Sequence, residues 1–198
     1  MMKKGEKTKQ QIIILATDVF NQKGYFGTSL TDIMKATGLK KGGIYNHFNS
    51  KEELAIASFD YAIEVMTRIY AKAIEGKDSS IDQLIGLISV YENIIENPPL
   101  KGGCPILNTA VESDDTNPIL KEKVQVAMTK WLRLIQYIIR KGIKKGEIKP
   151  NVHVESFASL ITSTVEGAVM MSKLYNSNTH MKNAIQHMTY SIENLRIT

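Results

Sequence analysis

Apolar positions recur at helical spacing along almost the whole chain, and no stretch alternates apolar and polar residues as a strand does. A first segment runs from Glu6 to Lys23, with Ile12, Leu15, Ala16, Val19 and Phe20 on one stripe and Gly24 as its stop. After a short loop, Ser29 caps a second segment, Leu30 to Thr37, with Asp32 placed for a capping box and Gly38 ending it. A short third segment, Lys41 to Phe48, precedes Ser50, which with Glu53 forms a second capping box at the head of a long segment, Lys51 to Ile74. Further segments span Ile81 to Glu96, Ile106 to Glu112, Pro118 to Lys145, Asn151 to Tyr175 and His180 to Leu195. Between them lie Pro98-Pro99, Gly102-Gly103 and Asn117-Pro118, the last a cap followed by a first-turn proline. The pattern predicts an all-α fold of about nine helices.

Composition narrows the class. With 198 residues, 43% of them hydrophobic and 23% charged, the chain suits one or two globular domains and rules out disorder throughout. The longest unbroken apolar run, Ile12 to Ala16, is too short to cross a bilayer, and no small-residue cleavage site follows it. A cytoplasmic protein with no membrane partner is expected. The single Cys104 excludes a disulfide framework, and His47, His153, His180 and His187 are scattered without accompanying ligands. No metal or cofactor is therefore expected. Cys104 has only Lys101 near it in sequence and reads as an inert thiol. Residues 1–60 hold nine lysines against six acids, a basic end suited to an anionic polymer.

The second and third segments, joined by Gly38-Leu39-Lys40, have the layout of a helix-turn-helix, whose second helix enters the major groove. Ile33, Leu39, Ile44 and Phe48 can pack inward, which leaves Lys40, Lys41, Tyr45, Asn46 and His47 facing out. Gly42 and Gly43 each cost about 1 kcal/mol inside a helix, a cost that close approach to another surface would explain. Lys3, Lys4, Lys7 and Lys9 are placed to form a flexible basic arm.

The run from Phe20 through Lys23-Gly24-Tyr25-Phe26-Gly27-Thr28-Ser29-Leu30-Thr31-Asp32-Ile33, then Ala36-Thr37-Gly38-Leu39-Lys40-Lys41-Gly42-Gly43-Ile44-Tyr45-Asn46-His47-Phe48, then Ser50-Lys51-Glu52-Glu53-Leu54, is similar to the N-terminal domain of the TetR family of bacterial transcriptional repressors. The resemblance implies an all-helical homodimer. A DNA-binding domain would occupy residues 1–52, and an effector-binding and dimerisation domain residues 53–198. Thr28 and Ser29 would hold a phosphate through hydroxyl and backbone N–H. Tyr45 and His47 would touch phosphate or sugar, and Lys51 a phosphate. Base reading would fall to Lys40, Lys41, the Gly42–Gly43 backbone and Asn46. Gly43 stands where many relatives carry a reading side chain, so DNA shape would contribute more here.

Residues 53–198 resemble the family less closely. The segment Asn151 to Tyr175 carries small residues at Ala158, Ser159, Ser163, Thr164, Gly167 and Ala168, which permit the last two helices to pack against those of a second copy. A pocket is expected among the fourth to eighth segments, lined by Tyr61, Ile88, Tyr91, Asn108, Met128, Trp131, Met170 and Tyr175, and suited to a lipophilic effector. The sequence as a whole thus predicts a dimeric, ligand-responsive repressor of a palindromic operator. A corepressor-dependent regulator and a small-hydrophobe binding protein are the alternatives. An enzyme is not expected: no nucleophile elbow, phosphate loop or dinucleotide fingerprint is present, and Asp114-Asp115 is explained by helix capping.

Overall fold

A computed structural model describes residues 4–197. Nine helices account for its secondary structure: α1 Lys4–Gly27, α2 Leu30–Thr37, α3 Lys41–Tyr45, α4 Lys51–Ile74, α5 Ser80–Ser89, α6 Pro105–Ser113, α7 Pro118–Lys144, α8 Val154–Tyr175 and α9 Thr179–Glu193. Among the described residues the only extended pairing is an isolated antiparallel bridge between Ile148 and Arg196. The chain forms two compact units. One contains the residues up to Met66 together with Leu100–Val124, and the other Thr67–Pro99 with Gln125–Thr198.

The first unit is built on α1, α2 and α3. Ile12, Ala16, Ile33, Ile44, Phe48 and Leu54 are buried together, with Phe20, Leu30, Met34 and Leu39 packed around them. Of these, the buried Ile, Leu and Phe side chains each contribute about 1.5–3 kcal/mol when fully withdrawn from water. Ser29 and Asp32 form the full reciprocal capping box at the start of α2. Gly38 closes α2 in the left-handed region at φ 70°, which turns the chain into α3. At α4 the Ser50 hydroxyl accepts the Glu53 N–H as expected, but the Glu53 carboxylate reaches back to Asn49 rather than to Ser50. Asn117 caps α7 through the Leu120 N–H at 3.0 Å. The expected flexible lysine arm is corrected: α1 is already helical at Lys4, so Lys4, Lys7 and Lys9 belong to it, while Lys3 lies outside the described residues.

The second unit buries Ile81, Leu84, Leu87, Ile88, Ile135, Ile138, Ile139, Ile161, Val169, Met181, Met188 and Ile192. The fifth segment stops being an α-helix at Ser89 rather than Glu96. Beyond it the N–H groups of Glu92 and Ile94 bond three residues back, and the Ile95 N–H goes to the Asn178 side chain at 3.0 Å. Tyr91 and Ile94 are still buried there, so the apolar period outlasts the helix. Glu147 ties the two ends of this unit together. Its carboxylate accepts the Ser80 N–H at 2.7 Å, and its carbonyl accepts the Ile197 N–H at 3.1 Å. That hydrogen bond from Ser80 is the main cause holding the Glu147 carboxyl below its usual range, with Lys145 adding to it.

Candidate nucleic-acid interface

The face built by α3 is basic and open. Lys40, Lys41, Tyr45 and Asn46 are exposed, His47 is half-buried, and Ile44 and Phe48 turn inward. Lys41 and Tyr45, one turn apart, stack their cation and ring at 5.8 Å. The backbone continues helical bonding past Tyr45: Asn46 N–H reaches the Gly42 carbonyl at 3.0 Å and Phe48 N–H the Ile44 carbonyl at 3.2 Å. A Cβ added at Gly42 would meet nothing within 4 Å, and one at Gly43 only the Leu39 side chain at 3.5 Å. Nothing inside the chain therefore requires either glycine. Bare backbone at these two positions leaves the outer surface of α3 open to close approach.

The start of α1 lies beside this face. The Cβ position of Gly5 comes within 4.0 Å of the His47 ring, and the Lys9 ammonium stands 5.0 Å over the Phe48 ring.

The residues expected to hold phosphate prove to be of two kinds. Thr28 is corrected to a structural residue: it is buried, its hydroxyl donates to the Gly24 carbonyl at 2.6 Å, and its N–H donates to the same oxygen at 3.2 Å. Neither donor faces outward. The Ser29 hydroxyl donates to Asp32 Oδ2 at 2.6 Å and accepts the Asp32 N–H at 3.1 Å. Lys51 donates to the carbonyls of Tyr25 at 2.6 Å and Thr28 at 2.7 Å. These two bonds use two of its three N–H donors, so Lys51 anchors the turn. Burial, and then the charge of Glu52, push the Tyr25 phenol upward. The Lys23 ammonium at 2.6 Å, followed by the Ser29 hydroxyl and N–H, holds the Asp32 carboxyl far below the usual carboxylate range.

One residue that the sequence did not single out shapes this turn. The Glu112 carboxylate on α6 accepts the N–H groups of Tyr25 at 2.6 Å and Phe26 at 2.7 Å. Its signal in the sequence was Gly24, read there only as a helix stop.

Of the expected effector-pocket residues, Tyr61 and Asn108 belong to the first unit, and Ile88, Tyr91, Met128, Trp131, Met170 and Tyr175 to the second. Met170 is 54% and Tyr175 64% exposed on α8, so neither lines an interior. Asn108 is bound to Asn21 and to the Gly102 carbonyl at 2.9–3.0 Å, which makes it a packing residue. In the second unit Tyr91 and Trp131 are buried around Tyr70, which the sequence reading missed. The two tyrosine hydroxyls are 2.8 Å apart and the Tyr70 and Trp131 rings 4.5 Å. The first unit has a cavity of about 30 Å³ beside Asn21, Asn108 and Glu112. It has room for about two waters and is too small for an organic effector.

Cys104 is buried at the N-cap position of α6. No group of three metal-ligating side chains occurs among the described residues, and no helix there is long and apolar enough to cross a membrane.

Comparison with known proteins places this geometry. Residues 12–57 match the family model described as "Bacterial regulatory proteins, tetR family", and residues 80–188 match "Tetracyclin repressor-like, C-terminal domain". The chain is 44% identical to a TetR transcriptional regulator from Chloroflexus aurantiacus J-10-FL, over 100% of both chains with a TM-score of 0.95. It is 32% identical to a TetR-family regulator from Cytophaga hutchinsonii, over 100% of this chain and 99% of that one, with a TM-score of 0.93. It is also 27% identical to the HTH-type transcriptional repressor DhaR of Mycobacterium sp. (strain GP1), over 84% of this chain and 82% of the relative.

Proposed function

The chain belongs to the TetR family of bacterial transcriptional regulators, and from that premise we propose that it is a cytoplasmic homodimer that represses transcription from a palindromic operator and leaves it when a small lipophilic effector binds. It is a transcriptional regulator and not an enzyme. The observation that carries the DNA-binding mode is the outward face of α3: exposed Lys40, Lys41, Tyr45 and Asn46 around two glycines that no internal contact requires. Lys40, Lys41 and Asn46 are the base-reading groups. Lysine donates to guanine O6 and N7, and asparagine bridges adenine. Tyr45, His47 and the remaining donor of Lys51 hold the backbone and fix register.

Dimerisation runs through α8 and α9. Leu160, Met170, Met171 and Leu174 form an exposed apolar stripe on α8, and Tyr190 is exposed on α9. At Gly167, within that stripe, an added Cβ meets nothing within 4 Å. An open apolar stripe with a small residue at its middle suits close packing against a second copy.

The effector site is proposed in the second unit, at the Tyr70, Tyr91 and Trp131 cluster. Aromatic surface with a pair of hydroxyls suits an amphipathic molecule. A relative 25% identical over 168 residues is the Fatty acid metabolism regulator protein of Bacillus subtilis (strain 168), and fatty acids are lipophilic.

Equilibrium binding to duplex DNA across a salt series tests the reading. Each phosphate contact adds about 0.9 to the slope of log affinity against log salt. A slope of several units is expected, and affinity that ignores salt would refute the DNA-binding mode.

A further inference from the structure

Helix α6 meets α1 through two polar rungs, spaced four residues apart on each helix. In the first, the Asn108 amide donates to the backbone oxygen and Oδ1 of Asn21 at 2.9 and 3.0 Å. The Asn21 amide in turn donates to the carbonyls of Lys101 and Gly103 at 2.8 and 3.0 Å. In the second rung, Glu112 accepts the N–H groups of Tyr25 and Phe26 at 2.6 and 2.7 Å. These two groups lie just past Gly24, whose φ of 75° and ψ of 171° interrupt the helix. The carboxylate thus supplies acceptors to N–H groups at the point where α1 leaves helical geometry.

We propose that Glu112 is a positioning residue for operator binding: it fixes the turn from α1 into α2, and with it the stance of α2 and the recognition helix α3 on the duplex. The inference rests on the DNA-binding reading above. Its first support is geometric. A Cβ at residue 24 would stand 2.6 Å from Glu112 Oε2, so the glycine is what admits the carboxylate. Its second is connectivity. The turn held by Glu112 ends at Ser29, the residue whose capping box with Asp32 starts the eight-residue α2. Its third is what Glu112 does not do. The core of Ile12, Ala16, Ile33, Ile44, Phe48 and Leu54 excludes it, so the helix-turn-helix keeps its packing when the carboxylate is lost. What is lost is the registration of the turn. Because α6 lies outside the helix-turn-helix, 87 residues along the chain from Tyr25, this contact makes DNA reading answer to the placement of α6.

The test compares wild type, Glu112→Gln, Glu112→Asp and the control Lys123→Ala, which breaks the Lys123–Asp60 ion pair in the same unit. Each is measured for affinity to a selected operator and to random-sequence duplex, for Tm, and for amide exchange at Tyr25 and Phe26. Glutamine keeps the size and one acceptor but turns an N–H donor toward a donor. It is expected to weaken operator binding about tenfold, to speed exchange at both amides, and to leave random-sequence binding and its salt slope unchanged. Aspartate, one methylene shorter, is expected to fall between, and it decides the matter if the glutamine variant does not fold. Lys123→Ala should bind like wild type. Operator affinity equal to wild type in a folded Glu112 variant overturns the proposal. So does an equal loss on operator and random duplex, which would mark Glu112 as a stabilising contact only. A wild-type chain that binds no duplex at all would instead refute the DNA-binding reading.

Discussion

The Lys51 ammonium donates to the carbonyl oxygen of Tyr25 at 2.6 Å and lies 4.4 Å from the centroid of the same residue's ring. Tyr25 is therefore gripped at three points: its N–H by Glu112, its carbonyl by Lys51 and its ring face by the Lys51 charge. A Lys51→Met variant removes the charge and leaves two carbonyls without their donor. Charge-assisted hydrogen bonds of this kind contribute about 1.5–3 kcal/mol. At about 2–4 °C per kcal/mol for a chain of this size, Tm should fall by several degrees. Affinity for all duplexes should fall together. An unchanged Tm in calorimetry would show that Lys51 serves DNA alone.

Gly24 combines a left-handed φ of 75° with the carboxylate of Glu112 at 2.6–2.8 Å from any added Cβ. Gly24→Ala should cost about 1–3 kcal/mol from backbone conformation alone. It should also push Glu112 off the Tyr25 and Phe26 N–H groups. Gly42→Ala, where nothing lies within 4 Å, should leave Tm unchanged or raised while weakening DNA binding. Equal Tm losses at the two sites would contradict this assignment.

Asp32 offers a pH test. Its carboxyl titrates far below its ordinary 3.8 because Lys23 and Ser29 favour the ionised form. Its contribution to the folded state is thus complete above pH 3.8 and is lost only as pH falls further, through the depressed value. Lys23→Met removes the largest cause and should move the carboxyl titration, followed by NMR, upward toward 3.8. A titration that does not move would show that the ion pair contributes nothing.

Two substitutions at the end of α3 distinguish the proposed backbone contacts from the proposed base contacts. Tyr45→Phe should weaken binding to every sequence about equally, as loss of a phosphate contact does. Asn46→Ala should relax preference at one position, by about 1–3 kcal/mol of discrimination. Competition against a panel of single-base variants reads both. Unchanged preference in Asn46→Ala would remove Asn46 from base reading.

Gly167 lies in the open stripe of α8. The Cβ of a Gly167→Arg side chain would have nothing within 4 Å in its own chain, so the subunit should fold normally. Sedimentation should then report a monomer with palindrome affinity largely lost. A stable dimer would place the interface elsewhere.

The helices were legible because their apolar periods and caps are local. Ser29 with Asp32, Asn117 and Gly38 all act within one turn of where they stand. The outward face of α3 was legible for the same reason, α3 being a short helix set by Gly38 and Ile44. What stayed hidden depends on partners distant in sequence. Thr28 reads as an outward hydroxyl until the kink at Gly24 turns that residue's carbonyl toward it. Asn108 reads as a pocket amide until Asn21 takes it up, 87 residues away. Tyr70 was missed because half-burial opposite Tyr91 and Trp131 leaves no mark on the period of α4.

The central claim is that paired α3 helices read a two-fold symmetric site. Selection of bound duplexes from a random pool at near-physiological salt tests it most directly. The account predicts an enriched palindrome whose half-sites are centred about one helical turn, roughly 34 Å, or a multiple of it apart. Enrichment of no sequence by a folded, dimeric protein would contradict it.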